Sequence, residues 1–205
     1  MRSREALDRI VAAGMQVQRR EHERMLKISV LPTFATRWLL PRLTSFQEEQ
    51  PDTHLHMSTS YDETDFRQGN LDLEIRYGDG KFPGLHAEPL FKEDLTPVCS
   101  LSLFRRILGN RSVTDVDPSE LRFFTLLHSD TCTNNWHSWL DHAGALQVLD
   151  EARSMSFDSC LLSFQAANAG LGFAVANRAY VQQDIDDGRL VAPFRVDHPN
   201  RRGWY

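Results

Sequence analysis

Cysteine is scarce in this chain: Cys99, Cys132 and Cys160 are the only three among 205 residues. Their wide spacing and odd number argue against a disulfide framework or a paired zinc site, and predict a reducing, cytoplasmic setting. Positive charge is also short, with 23 Lys and Arg against 28 Asp and Glu and a net charge of −5. Phosphate contact dominates the affinity of duplex binders, so a chain this acidic is a poor DNA binder by itself. No apolar run reaches the length of a membrane span, and the opening MRSREALDRIVAAGMQVQRREHERM is too charged for a signal peptide. Neither membrane association nor export is therefore expected. No GxGxxG follows a strand and no GxxxxGK[ST] is present, which removes the dinucleotide and nucleotide fingerprints, and no cofactor is expected. Asp141, His142 and many serines occur without a GxSxG elbow, so a hydrolase is disfavoured. Short-period repeats and low-complexity stretches are absent too.

What is present is an ordinary globular composition: 41% hydrophobic, 10% aromatic and 25% charged residues. That suffices for one large core or two small ones. Residues 1–25 place Leu7, Ile10, Val11, Met15 and Val17 at near-helical spacing among many charges, which predicts an exposed amphipathic helix. Such a helix packs on its own domain or pairs with another subunit.

From Leu26 strands and helices alternate. Strands are expected at 26–32, 54–60, 71–77, 123–127, 172–176 and 190–194, with further extended pieces over 85–98. Helices are expected at 35–49, 62–68, 101–108, 136–143, 158–169 and 178–186. This order predicts an α/β protein of two small Rossmann-like lobes, each with a largely parallel sheet, and a cleft between them. Gly170 and Gly172 read as a helix C-cap followed by a packing glycine. His54 and His56 share a strand face but lack a nearby third ligand, so they read as solvent-facing and no metal site is expected. Trp136, Trp139 and Leu140 read as core.

Two strand-to-helix junctions draw attention. One is Pro32-Thr33-Phe34, and the other is Ser156-Phe157-Asp158-Ser159. Ligands of open α/β sheets bind at the carboxyl ends of strands, near helix N-termini. Thr33 and Asp158 either cap those helices or face a ligand. Thr59, Ser60, Asp62 and Asp65 form a polar cluster after the second strand. Its acidic pair either caps a short helix or favours a ligand that carries an amine.

The composite pattern resembles a known family. LKISVLPTFATRWLLPRLTSFQEEQPD (26–52), STSYDETDFRQGNLDLEIRYGDGKFPGL (58–85) and EPLFKEDLTPVCS (88–100) look like the first lobe of a LysR-type effector domain. WHSWLDHAG (136–144), FDSCLLSFQAANAGLGFAVANRAYVQQDIDDGRLVAPF (157–194) and GWY (203–205) continue the likeness through the second lobe. Specifically, the pattern resembles the subgroup of the glycine-cleavage activator and the β-lactamase regulator. The resemblance implies a type 2 periplasmic-binding-protein-like fold, with 1–25 as a linker and dimerisation helix. Lobe 1 would span 26–98 plus 195–205, and lobe 2 would span 99–194, with hinges near Val98–Cys99 and Pro193–Phe194. It also implies a small-molecule effector held in the cleft by Thr33, Phe34, Thr59, Ser60, Asp65, Tyr77, Ser129, Phe157, Asp158 and Ser159. Homodimers or homotetramers and promoter DNA would be partners, the latter through a winged helix outside this chain. Cys160 stands where some relatives carry a serine, so ligand identity does not transfer. A solute-binding protein of a transporter shares the architecture and is the alternative reading; enzymatic turnover is not expected.

Overall fold

The protein is described by a computed structural model covering residue 10 and residues 25–62, 71–109, 111–112, 116–196 and 198–205. It divides into two compact units, Met1–Glu93 with Asn200–Tyr205, and Asp94–Pro199. In chain order the strands are β1 (Met25–Val30), β2 (His54–Thr59), β3 (Leu73–Ile75), β4 (Tyr77–Gly78), β5 (Phe91–Ser100), β6 (Thr125–Ser129), β7 (Arg153–Phe157), β8 (Phe173–Asn177), β9 (Leu190–Val191) and β10 (Pro199–Trp204). The helices are α1 (Pro32–Phe34), α2 (Leu43–Glu49), α3 (Leu101–Leu108), α4 (Asn135–His142), α5 (Val148–Glu151), α6 (Cys160–Asn168) and α7 (Arg178–Asp186). Apart from Ile10, which is helical and buried, the expected N-terminal helix lies outside the described residues. So does nearly all of the helix expected over 62–68.

The first unit is built on a parallel sheet of order β2-β1-β3. Leu26, Ile28 and Val30 of the central strand are all buried. Pro32 then sits at the first helical position, where its missing N–H costs nothing, and opens α1. The single helix expected over 35–49 is instead broken into three parts. A π-type turn covers Ala35–Leu39 and a 3-10 turn covers Leu40–Arg42 before regular α2 begins. Pro41 is the cause, because it has no N–H for the Arg37 carbonyl and the ladder must change pitch around it. The amide of Leu40 reaches back to the Ala35 carbonyl, and that of Leu43 to the Leu40 carbonyl. Beneath this segment Phe34 packs with Trp38, Phe91 and Trp204 at ring separations of 5.0, 5.9 and 4.7 Å. Tyr205 exchanges backbone hydrogen bonds with Arg76 at 2.9 and 3.0 Å, extending the antiparallel β4–β10 pairing to the chain's last residue.

The second unit carries a mixed sheet. The later part of β5 runs antiparallel to β8, with Leu95 opposite Asn177 and Val98 opposite Ala174. β8 is parallel to β6, and β6 to β7. One continuous core joins Leu95, Leu103, Phe104, Leu126, Trp136, Trp139, Leu140 and Phe173. At about 1.5–3 kcal/mol for each such side chain removed from water, this cluster is the main stabilising element of the unit. Trp136 also donates its indole N–H to the Leu127 carbonyl at 3.0 Å, fixing α4 against β6. The strand expected over 123–127 begins only at Thr125, because Pro118–Phe123 forms a 3-10 helix. A capping box starts that helix: the Asp117 carboxylate accepts from the Ser119 amide, and Glu120 reaches back to the Asp117 amide.

The cysteines depart from expectation. Cys132 and Cys160 form a disulfide, with Cα atoms 6.7 Å apart, while Cys99 is free and buried. Linear spacing hid the pair, since only the pairing of β6 with β7 brings its two members together.

Candidate functional site

The polar residues of the second unit gather where β6 and β7 end. Ser129 and Phe157 close their strands and are partners in register. Ser129 is buried, and its hydroxyl accepts the Thr131 amide at 3.3 Å and lies 2.9 Å from the Thr131 hydroxyl. Thr131 in turn accepts the amide of Cys160, the first residue of α6, at 3.3 Å. Ser159 is the N-cap of α6 and accepts the Leu162 amide at a long 3.5 Å. Asp158 is exposed between them and does not cap the helix, contrary to one reading of the sequence. The helix starts two residues later than 158, and only a residue directly before it can cap it.

In the first unit the register sets Val30 beside Thr59. The Ser60 amide donates to the Val30 carbonyl at 3.2 Å, and the Ser60 hydroxyl accepts the Asp62 amide at 2.9 Å. Arg76 also donates to the Asp62 carbonyl. Thr59 is exposed, whereas Thr33 is buried inside α1. Thr33 is not a cap either, since Leu31 holds the N-cap position and offers no side-chain hydrogen bond. Phe34 is fully buried in the aromatic cluster, so its place is beneath the junction. Tyr77 donates its hydroxyl to the Glu93 carboxylate at 2.6 Å, and its ring lies 5.6 Å from Trp204. Asp65 lies outside the described residues.

Thr59, Ser60, Ser129 and Ser159 can donate and accept hydrogen bonds at the carboxyl ends of parallel strands, the usual place for a small polar ligand in α/β sheets. Nothing in them resembles a catalytic relay. The Ser138 hydroxyl does meet Nε2 of His198 at 2.8 Å. The other nitrogen of that ring is buried without a hydrogen-bond partner, so no carboxylate orients it as a triad requires. Among the described residues, no group of three or more His, Cys, Asp or Glu is placed to hold a metal ion, and no helix is long and apolar enough to cross a membrane.

Thr131, Cys132 and Glu93 are absent from the residues inferred from sequence. For the first two a signal existed. They follow Ser129 closely, and the parallel register of β6 with β7 brings Cys132 opposite Cys160. For Glu93 there was none, because its contact with Tyr77 joins residues 16 apart that share no motif.

Two α/β units of this kind, with polar residues at their strand ends, are an architecture suited to a small polar ligand. Residues 19–205 match the family model described as the LysR substrate binding domain, and the chain belongs to that family. It is 34% identical over 202 residues to the glycine cleavage system transcriptional activator of Escherichia coli K12, covering 98% of this chain and 64% of that protein. It is 33% identical over 172 residues to the transcriptional activator AmpR of Rhodobacter capsulatus, covering 84% and 56%. The chain thus spans less than two thirds of the length of these relatives. Among solved structures, the effector domain of AmpR from Pseudomonas aeruginosa superposes with a TM-score of 0.68 at 30% identity, over 89% of this chain and 83% of that one. The AmpR effector binding domain of Citrobacter freundii gives 0.65 at 30% identity, over 88% and 85%. The fold is therefore that of LysR effector-binding domains, of the type 2 periplasmic-binding-protein-like class. These relatives are named as regulators and not as enzymes or transport proteins, and the transport reading is not favoured.

Proposed function

We propose that this chain is the effector-sensing part of a cytoplasmic transcriptional regulator that binds a small metabolite without turning it over. Residues 1–25 serve as the linker helix between subunits, 26–98 with 195–205 as the first lobe, and 99–194 as the second. Thr33, Thr59, Ser60, Asp65 and Tyr77 from one lobe, and Ser129, Phe157, Asp158 and Ser159 from the other, supply the ligand contacts. Phe34 supports them from the core. The metabolite prefers one arrangement of the domain and shifts the population toward it. In a homodimer or homotetramer that shift alters the spacing of DNA-reading helices supplied elsewhere in the full-length protein.

The observation that supports this reading is the family match across residues 19–205. The experiment is a thermal-shift screen of small metabolites against this chain. A ligand present at about 100 times its Kd stabilises the native state by roughly 2.7 kcal/mol, enough to raise the Tm by several degrees. A hit whose effect is reduced by Ser129→Ala, and which changes promoter binding by the full-length protein, is the expected result. A hit that is consumed, or recovery of the native protein from the periplasm, overturns the reading.

A further inference from the structure

The disulfide is placed where the ligand contacts are proposed, and its geometry follows from the sheet. β6 and β7 pair with a constant offset of 28 residues, as Ser129 with Phe157. Cys132 and Cys160 have that same separation, so each follows its strand end by three residues. The bridge therefore ties together the two segments that leave adjacent parallel strands. Its surroundings are part of the polar network at those ends, since the Thr131 hydroxyl lies 3.3 Å from the Cys160 sulfur and accepts the Cys160 amide. The two sulfurs differ in access. Cys160 is buried, with 3% exposed, whereas Cys132 is partly exposed on the turn Asp130–Cys132.

We propose that Cys132 and Cys160 are a reversible dithiol–disulfide switch, driven by exchange with a low-molecular-weight thiol such as glutathione, that sets the order of the strand-end segments 129–133 and 157–163. In the reducing direction a glutathione thiolate attacks the accessible Cys132 sulfur, the bond between the two cysteines breaks, and Cys160 leaves as a thiolate that takes up a proton. A second glutathione thiolate attacks the glutathione sulfur of the mixed disulfide, releasing Cys132 as a thiol and glutathione disulfide. Two protein thiols are formed and two glutathione molecules are oxidised. Oxidation is the reverse, with glutathione disulfide as the oxidant. The inference rests on the proposed cytoplasmic role for one point: disulfides in that compartment are mostly transient ones that serve catalysis or sensing. Cys99 takes no part. It is completely buried on β5, and burial pushes its thiol well above the usual range, leaving little reactive thiolate.

The test uses the full chain equilibrated in glutathione buffers of graded ratio, quenched with acid and alkylated after denaturation. Three alkylated thiols are expected at the reducing end and one at the oxidising end, with the midpoint inside the range of ratios. In Cys160→Ser, glutathione should be trapped on Cys132. Hydrogen exchange should be faster in 129–133 and 157–163 of the reduced protein and unchanged in Phe173–Asn177 of the core. One alkylated thiol at every ratio makes the bridge a fixed structural one and overturns the proposal, as do three at every ratio. Two clean redox states with the same exchange in both segments would overturn it as well. No metabolite enters this experiment, so its failure is distinct from failure of the effector reading.

Discussion

A β-carbon placed on Gly172 would stand 2.1 Å from the carbonyl oxygen of Thr125. Thr125 begins β6 and Gly172 directly precedes the parallel β8, whose pairing with β6 starts with Phe173 beside Leu126. The obstructing atom belongs to the backbone, so no rotamer change relieves it. Gly172→Ala must push β8 away from β6 in the middle of the sheet. We predict a loss on the order of 3 kcal/mol, seen as a lower urea midpoint with an unchanged slope. Gly170 offers the contrast. Its positive φ of 80° suits the αL position after α6, and Gly170→Ala should cost about 1–2 kcal/mol from backbone strain. Equal losses at the two positions would contradict this account.

The roles of these two glycines were legible in the sequence, because a helix stop followed at once by an apolar strand leaves few other uses for them. Helices 101–108 and 178–186 were legible to the residue, each being a periodic run with a side-chain cap directly before it, Ser100 and Asn177. Trp136, Trp139 and Leu140 are core as their spacing implied. What stayed hidden depended on partners distant in sequence. β10 carries two arginines and a glycine and has no alternation of its own; it is a strand because β4 is there to receive it. The helix at 35–49 breaks at Pro41, whose missing N–H interrupts an otherwise helical spacing of Leu39, Leu43 and Phe46. At the junctions the residue types were informative and the capping position was not, since a shift of one residue decides whether Asp158 or Ser159 meets the first free amides.

Asp117 starts the 3-10 helix Pro118–Phe123 of the second unit through a capping box with Glu120. Its carboxylate is held below the usual range by hydrogen bonds from Ser119, while Glu120 is held low by Arg111, which meets it at 2.7 and 3.1 Å. Asp117→Ala should lower stability by about 0.5–2 kcal/mol at neutral pH, as for other N-caps. Arg111→Ala should cost less, because an exposed ion pair contributes about 0–1 kcal/mol. Both carboxylates have lowered folded values, so the cost of each substitution should be present above the unfolded carboxylate range and fade as pH falls through the folded one. Chemical denaturation at pH 7 and pH 3 checks the pattern, and a penalty that persists undiminished in acid would count against it.

His128 titrates in a different window. It lies on β6 with its ring 6.4 Å from that of Trp136, and its Nε2 is buried with no hydrogen-bond partner. Burial disfavours the charged ring and lowers its proton affinity below the ordinary value of 6.5. Above pH 6.5 neither folded nor unfolded chain holds this proton, and the residue contributes no pH dependence. As pH falls through 6.5 the unfolded chain takes up the proton first, so stability falls until the folded ring also protonates. Wild type should therefore lose more stability than His128→Gln between pH 7 and pH 5.5, a range above the carboxylate transitions. Parallel curves for the two proteins would rule out this assignment.

Asp158 allows capping and ligand contact to be separated. It is exposed beside the N-cap of α6, but the capping bond is made by Ser159. Removing the Asp158 carboxylate should leave the free domain within about 0.5 kcal/mol of wild type, the usual range for a surface change that breaks no structural contact. Ser159→Ala removes the cap and should be destabilising, but by the lower part of the capping range because its bond is long at 3.5 Å. If Asp158 meets the effector, its Ala variant must show a smaller thermal shift with the ligand while keeping its ligand-free Tm. Loss of a charged hydrogen bond of about 1.5–3 kcal/mol corresponds to a roughly 10- to 150-fold weaker Kd. Measuring Tm with and without ligand for both variants separates the roles. A drop in the ligand-free Tm of Asp158→Ala with unchanged affinity would return this residue to a structural role and leave Ser129 and Ser159 to carry the contact.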